Sequence, residues 1–168
     1  MIRNESREWL GLGEERKNVI REAQEKLPVA LGKIAHDLGV SVKVATLEIG
    51  ISGSIKRIAG YDNYEIQINR HETKSRQRFT LAHELSHFLL HKSLIGDGIV
   101  DTILYRSGLS QEMEYQANRL AADILMPRDS ILRWLESNVD VSRQDAVVPL
   151  CGIFGVSEDA MLIRLGLL

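Results

Sequence analysis

The sequence feature that most constrains the fold is the run FTLAHELSHFLLH at residues 79–91, which contains the pattern H-E-x-x-H. On an α-helix, residues four apart lie about 40° apart around the axis and about 6 Å apart along it, so His83 and His87 project side by side. Two imidazole nitrogens placed in this way can bind one metal ion. Glu84 lies about 100° further round, where it would flank the ion as a general base for an attacking water. The run therefore predicts a helix that contributes two ligands to a metal centre.

Composition limits what else the chain can be. The 168 residues, 44% of them hydrophobic, suit one compact domain with at most a small appendage. A net charge of -2 gives no support to nucleic-acid binding as the main activity. Cys151 is the single cysteine, so any metal must be bound by histidines and carboxylates. The N-terminus is too charged for a signal peptide, and no apolar run approaches the roughly 20 residues of a membrane helix, so we expect a soluble, cytoplasmic protein without a membrane partner.

The hydrophobic period changes twice along the chain, from helical to extended and back. Helical spacing predicts helices over 13–27, 28–39 (with Pro28 at the first position), 74–91, 111–125 (with Ser110 as N-cap), 128–138 and within 143–168 (with Ser157 as N-cap). Three short strands are predicted within 41–50, 51–60 and 63–70, the last two as a hairpin, and residues 92–109 as a loop. This order predicts an α+β fold in which one small antiparallel sheet packs on helices.

A metal site with an open position needs a third protein ligand. His91 continues the row of histidines, but it lies about 12 Å along the helix from His83, too far to share one ion. We expect His91 to be a hydrogen-bonded residue at the helix end. A longer zinc motif also fails, because Leu90 and Ser93 stand where glycine and histidine are required.

A carboxylate on the helix 111–125 is the better candidate for the third ligand. Glu114 shares a face with small residues that permit close approach to another helix, whereas Glu112 points elsewhere and is expected to be solvated. Asn118, one turn after Glu114, is predicted to orient a ligand histidine by a hydrogen bond without binding the metal itself. Two histidines and a glutamate suit Zn²⁺, although Mn²⁺ or another divalent transition ion is also compatible with these ligand types.

Hydrolysis of a peptide at such a metal ion would need two further features. A developing oxyanion needs a donor besides the metal, and Tyr105, Arg106, Arg76 and Arg78 are all available without a reason to choose between them. A free strand edge could hold an extended peptide, and Tyr64–Asn69, just before the H-E-x-x-H helix, is the predicted strand for this role.

The C-terminal segment resembles half of a helix-turn-helix, with FGVS as the turn and EDAMLIRL as the second helix. A helix that reads DNA normally presents several basic or amide side chains, but this one has only Arg164. We therefore predict that residues 1–138 form the main domain with its N-terminal helices. Residues 139–168 are predicted to form a helical appendage packed on it, without direct nucleic-acid binding.

The segments RQRFTLAHELSHFLLH (76–91), EYQANRLAADILMP (114–127) and SGSIKRIAGYDNYEIQIN (52–69) together resemble the ImmA/IrrE family of zinc-metallopeptidase-like proteins, over roughly residues 30–168. The resemblance implies a zincin-like fold with zinc ligands His83, His87 and Glu114 and the base Glu84. It also implies a zinc endopeptidase that cleaves a partner protein, a helix-turn-helix transcriptional repressor. The alternative is a metal-stabilised regulatory protein of a toxin–antitoxin or phage-type pair, which acts by binding without proteolysis.

Overall fold

The computed structural model describes residues 1–58, 60, 62–96, 99–102 and 110–168, with residues 99–102 described as backbone only. These residues form an α+β fold, which confirms the predicted class. Within the described ranges there are eight α-helices: α1 (Arg7–Gly11), α2 (Glu14–Gln24), α3 (Leu31–Asp37), α4 (Lys74–His91), α5 (Gln111–Leu125), α6 (Arg128–Ser137), α7 (Val147–Phe154) and α8 (Glu158–Leu165). The described strands are β1 (Val40–Ala45), β2 (Ile51–Ile58), β3 (Asn63–Asn69) and β4 (Ile99–Thr102).

The four strands form one mixed sheet in the order β1-β3-β2-β4. The predicted hairpin of β2 and β3 is confirmed, and β4 pairs antiparallel to β2. The prediction of a wholly antiparallel sheet is wrong, because β1 pairs parallel to β3. After β1 the chain forms β2 two positions away in the sheet, and β3 then fills the position between them. Because β3 runs antiparallel to β2, it runs parallel to β1.

Strand β3 lies in the centre of the sheet, which contradicts its predicted role as a free edge. Ile66 pairs with Val42 on one side and with Ile55 on the other. Tyr64–Asn69 therefore has no edge to offer a peptide. Glu65 alternates with Ile66 along the chain, a pattern typical of a strand with one exposed face, yet Glu65 is buried, with the Lys43 ammonium 2.6 Å from its carboxylate.

Two local predictions also need correction, and one helix was missed. Strand β4 lies within the predicted loop 92–109, which also contains a short 3₁₀ helix at Lys92–Leu94. Helix α1 was not predicted, and it is fixed by the buried Trp9, whose backbone N–H donates to the Ser6 hydroxyl. Pro28 does not open the following helix, since α3 begins at Leu31. Strand β4 and α1 have four and five residues, too few to show a hydrophobic period.

Helices α7 and α8 contribute to the same hydrophobic core as the rest of the chain, through Leu150, Phe154, Met161 and Leu165. The basic residue of α8, Arg164, is buried and faces Asp123 of α5 at 2.9 Å, so its side chain serves packing within the fold. The division into 1–138 and 139–168 stays a prediction. Among the residues that the structure describes, none of the helices combines the length and apolarity that crossing a bilayer requires.

Candidate metal centre

Helices α4 and α5 position the predicted metal ligands. Each helix begins at a capped residue: the Thr73 hydroxyl accepts from the Arg76 N–H, and the Ser110 hydroxyl accepts from the Met113 N–H. The Ser110 cap agrees with the prediction. The middle of α4 is polar yet buried, with His83, Glu84 and His87 all enclosed. Buried polar groups are costly unless they are satisfied, so this stretch needs partners from α5.

Glu114 of α5 supplies the main partner. Ligand atoms of His83, His87 and Glu114 all lie within 4.8 Å of one another. The Nε2 atoms of the two histidines are 3.0 Å apart. The Glu114 carboxylate approaches them at 3.3 Å and 3.4 Å. The structure thus brings together the three residues that the sequence predicts as ligands.

The arrangement fits a tetrahedral metal ion. Two ligand atoms at about 2.05 Å from such an ion are about 3.3 Å apart, close to the spacing found here. The Nδ1 atom of His83 lies 2.9 Å from Oδ1 of Asn118. Because an amide oxygen only accepts, the imidazole proton sits on Nδ1, and the Nε2 lone pair faces Glu114 and His87. The donor set, N, N and O, is one that zinc accepts.

Electrostatics keep the carboxylate charged and His87 neutral. Burial alone would raise the pKa of Glu114, but the hydrogen bonds that His83 and His87 donate from Nε2 when they are protonated outweigh it and hold that pKa well below its ordinary value. Burial lowers the pKa of His87, and the hydrogen bond that the protonated ring donates to Glu114 only partly offsets this effect. An anionic carboxylate and a neutral imidazole are the protonation states that bind a metal ion.

A second layer of side chains lies behind the ligands. Asn118 contacts His83, as predicted. His91 contacts His87 rather than the ligand cluster, with the two Nδ1 atoms 3.0 Å apart. Gln116, which sequence reasoning missed, places its Oε1 2.9 Å from Nε2 of His91. Gln116 lies about 200° round α5 from Glu114, so helical periodicity gives no reason to place it at this centre.

The other predicted site residues lie in different places. Arg78 is turned away from the cluster, since its guanidinium donates to the Val29 carbonyl at 2.9 Å, so its predicted oxyanion role is not supported. Arg76 points toward Ser52, with nitrogen-to-hydroxyl distances of 3.2 and 3.3 Å. Tyr105 and Arg106 lie outside the described residues. Glu112 is exposed and pairs with Arg119 at 2.9 Å, in agreement with its predicted solvation.

Comparison with known proteins decides the family. Residues 41–166 match the model of the Peptidase M78 family, described as the IrrE N-terminal-like domain. The chain belongs to this family. The resemblance to ImmA/IrrE proteins is thereby confirmed, and the IrrE-type domain is placed among metallopeptidase-like proteins.

One solved structure gives the same fold at low sequence similarity. It is a Mycobacterium tuberculosis transcriptional regulator, 17% identical, with a TM-score of 0.57. The match covers 90% of this chain but 46% of that protein, so this chain spans less than half of its length. A search of curated proteins finds no match.

In this IrrE-type domain a cleft of about 750 Å³ opens at the ligand cluster, and both His83 and Glu114 line it. Its walls come from α4, α5, α8 and, near the N-terminus, Arg3, Asn4 and Ser6. On α5, both Glu114 and Asp123 line the cleft, although they are about 180° apart around the helix axis. Apolar side chains also line it, among them Phe79, Ala122 and Ile163.

Proposed function

We propose that this chain is a zinc-dependent endopeptidase that cleaves a partner protein. The proposal rests on one observation, the convergence of His83, His87 and Glu114 in the wall of a cleft. A site that served only to stabilise the fold would be closed by four protein ligands. Here the ligand set found among the described residues is three, and two of its members reach an open cleft.

The roles of the residues follow from their positions. A bound zinc ion would supply Lewis acidity, which acidifies water and polarises a carbonyl group. His83, His87 and Glu114 would hold it. Glu84 is buried on α4 and follows His83 in the sequence. Its carboxylate would accept a proton from the attacking water and give that proton to the leaving amine nitrogen.

The cleft is the proposed seat of the substrate, in place of the strand edge that β3 does not offer. A polypeptide lying along it would pass the ligand cluster and then the apolar residues of α5 and α8. The identity of the substrate as a helix-turn-helix repressor is supported by family likeness alone. The solved structure of similar fold is described as a transcriptional regulator, which is compatible with a role near transcription.

The test is a comparison of newly formed protein N-termini in cells that express the wild-type chain, Glu84→Gln or the control Glu136→Gln. Glu136 is exposed on α6, so its change should be silent. Loss of general-base catalysis should slow cleavage by about 10²–10⁴-fold, so Glu84→Gln should lose the N-termini that wild type produces while it retains zinc. N-termini that are identical in wild type and Glu84→Gln would refute proteolysis and favour regulation by binding alone.

A further inference from the structure

The contact between His87 and His91 contains information about where protons lie. The two Nδ1 atoms are 3.0 Å apart, a hydrogen-bond distance. A neutral imidazole has one donor nitrogen and one acceptor nitrogen. When both rings are neutral, one proton therefore lies between these two atoms, on His87 or on His91, and the two cases leave opposite protonation at Nε2 of His87.

Gln116 distinguishes the two cases. Its Oε1 lies 2.9 Å from Nε2 of His91, and an amide oxygen only accepts, so His91 has its proton on Nε2. The Nδ1 atom of His91 is then an acceptor, and His87 must donate from its own Nδ1. The Nε2 atom of His87, which faces Glu114 at 3.4 Å, is left with a free lone pair.

We propose that His91, held by Gln116, is a positioning residue that fixes His87 in the tautomer able to bind a metal. The proposal rests on the ligand role of His87 within the proposed function. The chain of hydrogen bonds runs from Gln116 to His91 to His87. Partners behind a ligand histidine normally are carboxylates, backbone carbonyls or water, and they set ring orientation and basicity. Here His91, a third histidine, is the hydrogen-bond partner of the ligand histidine His87.

The two ligand histidines are held in different ways. His83 is held by Asn118, whose oxygen accepts without help. His91 can accept at Nδ1 only in the tautomer with its proton on Nε2, and Gln116 stabilises that tautomer by accepting from Nε2–H. The metal site therefore depends on Gln116, a residue two hydrogen bonds removed from the ligand atoms. Both His87 and His91 are buried, which keeps water from replacing a lost partner.

The direct test needs no substitution. Long-range ¹H–¹⁵N correlation spectra of the zinc-loaded wild-type protein report which imidazole nitrogen has a proton. We expect His91 as the Nε2–H tautomer and His87 as the Nδ1–H tautomer. A proton on Nδ1 of His91 would overturn the proposal, and so would a wild-type protein that binds no zinc.

Variants test the energetic consequence through zinc affinity, measured by competition with a chromophoric chelator. His91→Phe keeps a planar ring but removes the acceptor, and Gln116→Met removes the group that orients His91. Each should weaken zinc binding by about 10–100-fold, the usual effect of losing such a partner. His91→Gln keeps an acceptor oxygen and should recover much of that loss. The control is Gln111→Met, since Gln111 is exposed on the same helix and contacts only the Tyr115 hydroxyl among its described side-chain partners.

The outcomes separate this proposal from the proposed function. Unchanged zinc affinity in both His91→Phe and Gln116→Met would overturn the positioning role, whether or not the protein is a peptidase. Weakened zinc affinity in these two, recovery in His91→Gln and an unchanged control would support it. A protein with that pattern but without proteolysis in cells would retain the positioning role and lose only the peptidase proposal.

Discussion

Replacing Arg164 with methionine removes the cation of a buried ion pair and leaves its partner charged inside the protein. The Nη1 atom of Arg164 lies 2.9 Å from the Asp123 carboxylate, and the two side chains are 4% and 3% exposed. Arg164 also donates from Nε to the Met126 carbonyl at 3.0 Å. After the change, the backbone N–H of Ser6, at 2.9 Å, is the main remaining donor to Asp123 among the described residues.

The expected loss is large because it includes an uncompensated buried charge. Breaking a buried pair from one side costs about 3–5 kcal/mol of unfolding free energy. With a urea m-value of about 2 kcal/mol/M, the midpoint should fall by about 1.5–2.5 M. Equilibrium urea unfolding followed by circular dichroism measures this shift. Arg133→Met is the matched control, because Arg133 is exposed on α6 and should change stability by less than about 0.5 kcal/mol.

A double-variant cycle sharpens the test. If the pair interacts, Arg164→Met combined with Asp123→Leu should destabilise by less than the sum of the single changes. Since α8 lies in the segment predicted as an appendage, the cycle also measures how firmly that segment is joined to α5. A midpoint for Arg164→Met equal to that of the control would refute the reasoning, because it would mean that the carboxylate is solvated or that α8 detaches at little cost.

Three further results are expected. In Gly53→Ala the new Cβ would lie 2.5 Å from Cγ2 of Thr80, so urea unfolding should show a loss of about 1–3 kcal/mol, while the unobstructed helical control Gly32→Ala should not be destabilised. The hydrogen bond from Lys43 lowers the pKa of Glu65, so the ionised Glu65 contributes stability that is present above pH 4.5 and is lost as the pH falls through its folded-state pKa. In Glu65→Gln, the free energy of unfolding should therefore fall less steeply below pH 4.5 than in wild type. An unchanged pH profile of stability would contradict this. Free zinc at about 100 times its dissociation constant should add about 2.7 kcal/mol of stability that a chelator removes, and equal melting temperatures with and without zinc would argue against a site in the folded protein.

Local sequence signals predicted the two helices of the site correctly. The predicted bounds 74–91 and 111–125 agree with α4 and α5, because both helices have capping residues and a sustained helical period. The same signals predicted that His83, His87 and Glu114 are neighbours, because the spacing on one helix and a small-residue face on the other determine which side chains meet.

Features that depend on contacts between distant parts of the chain could not be predicted from local sequence signals. Glu65 alternates with Ile66 as in a strand with one wet face, yet lysines from both neighbouring strands cover its carboxylate. That burial depends on β3 being central, and strand order is not written in the alternation itself. Gln116 was missed for a related reason, because only the packing of α5 on α4 places its amide against His91.

Helix α5 fixes the length of the chain between two distant contacts. Glu114 and Asp123 are nine residues apart, which places them about 13.5 Å apart along the helix and about 180° around it. One inserted or deleted residue between them would turn one end by about 100° relative to the other. Either the metal ligand or the partner of Arg164 would then face the wrong side. This stretch should therefore accept changes of residue type but not of length, whereas the turns at 138–146 should accept both.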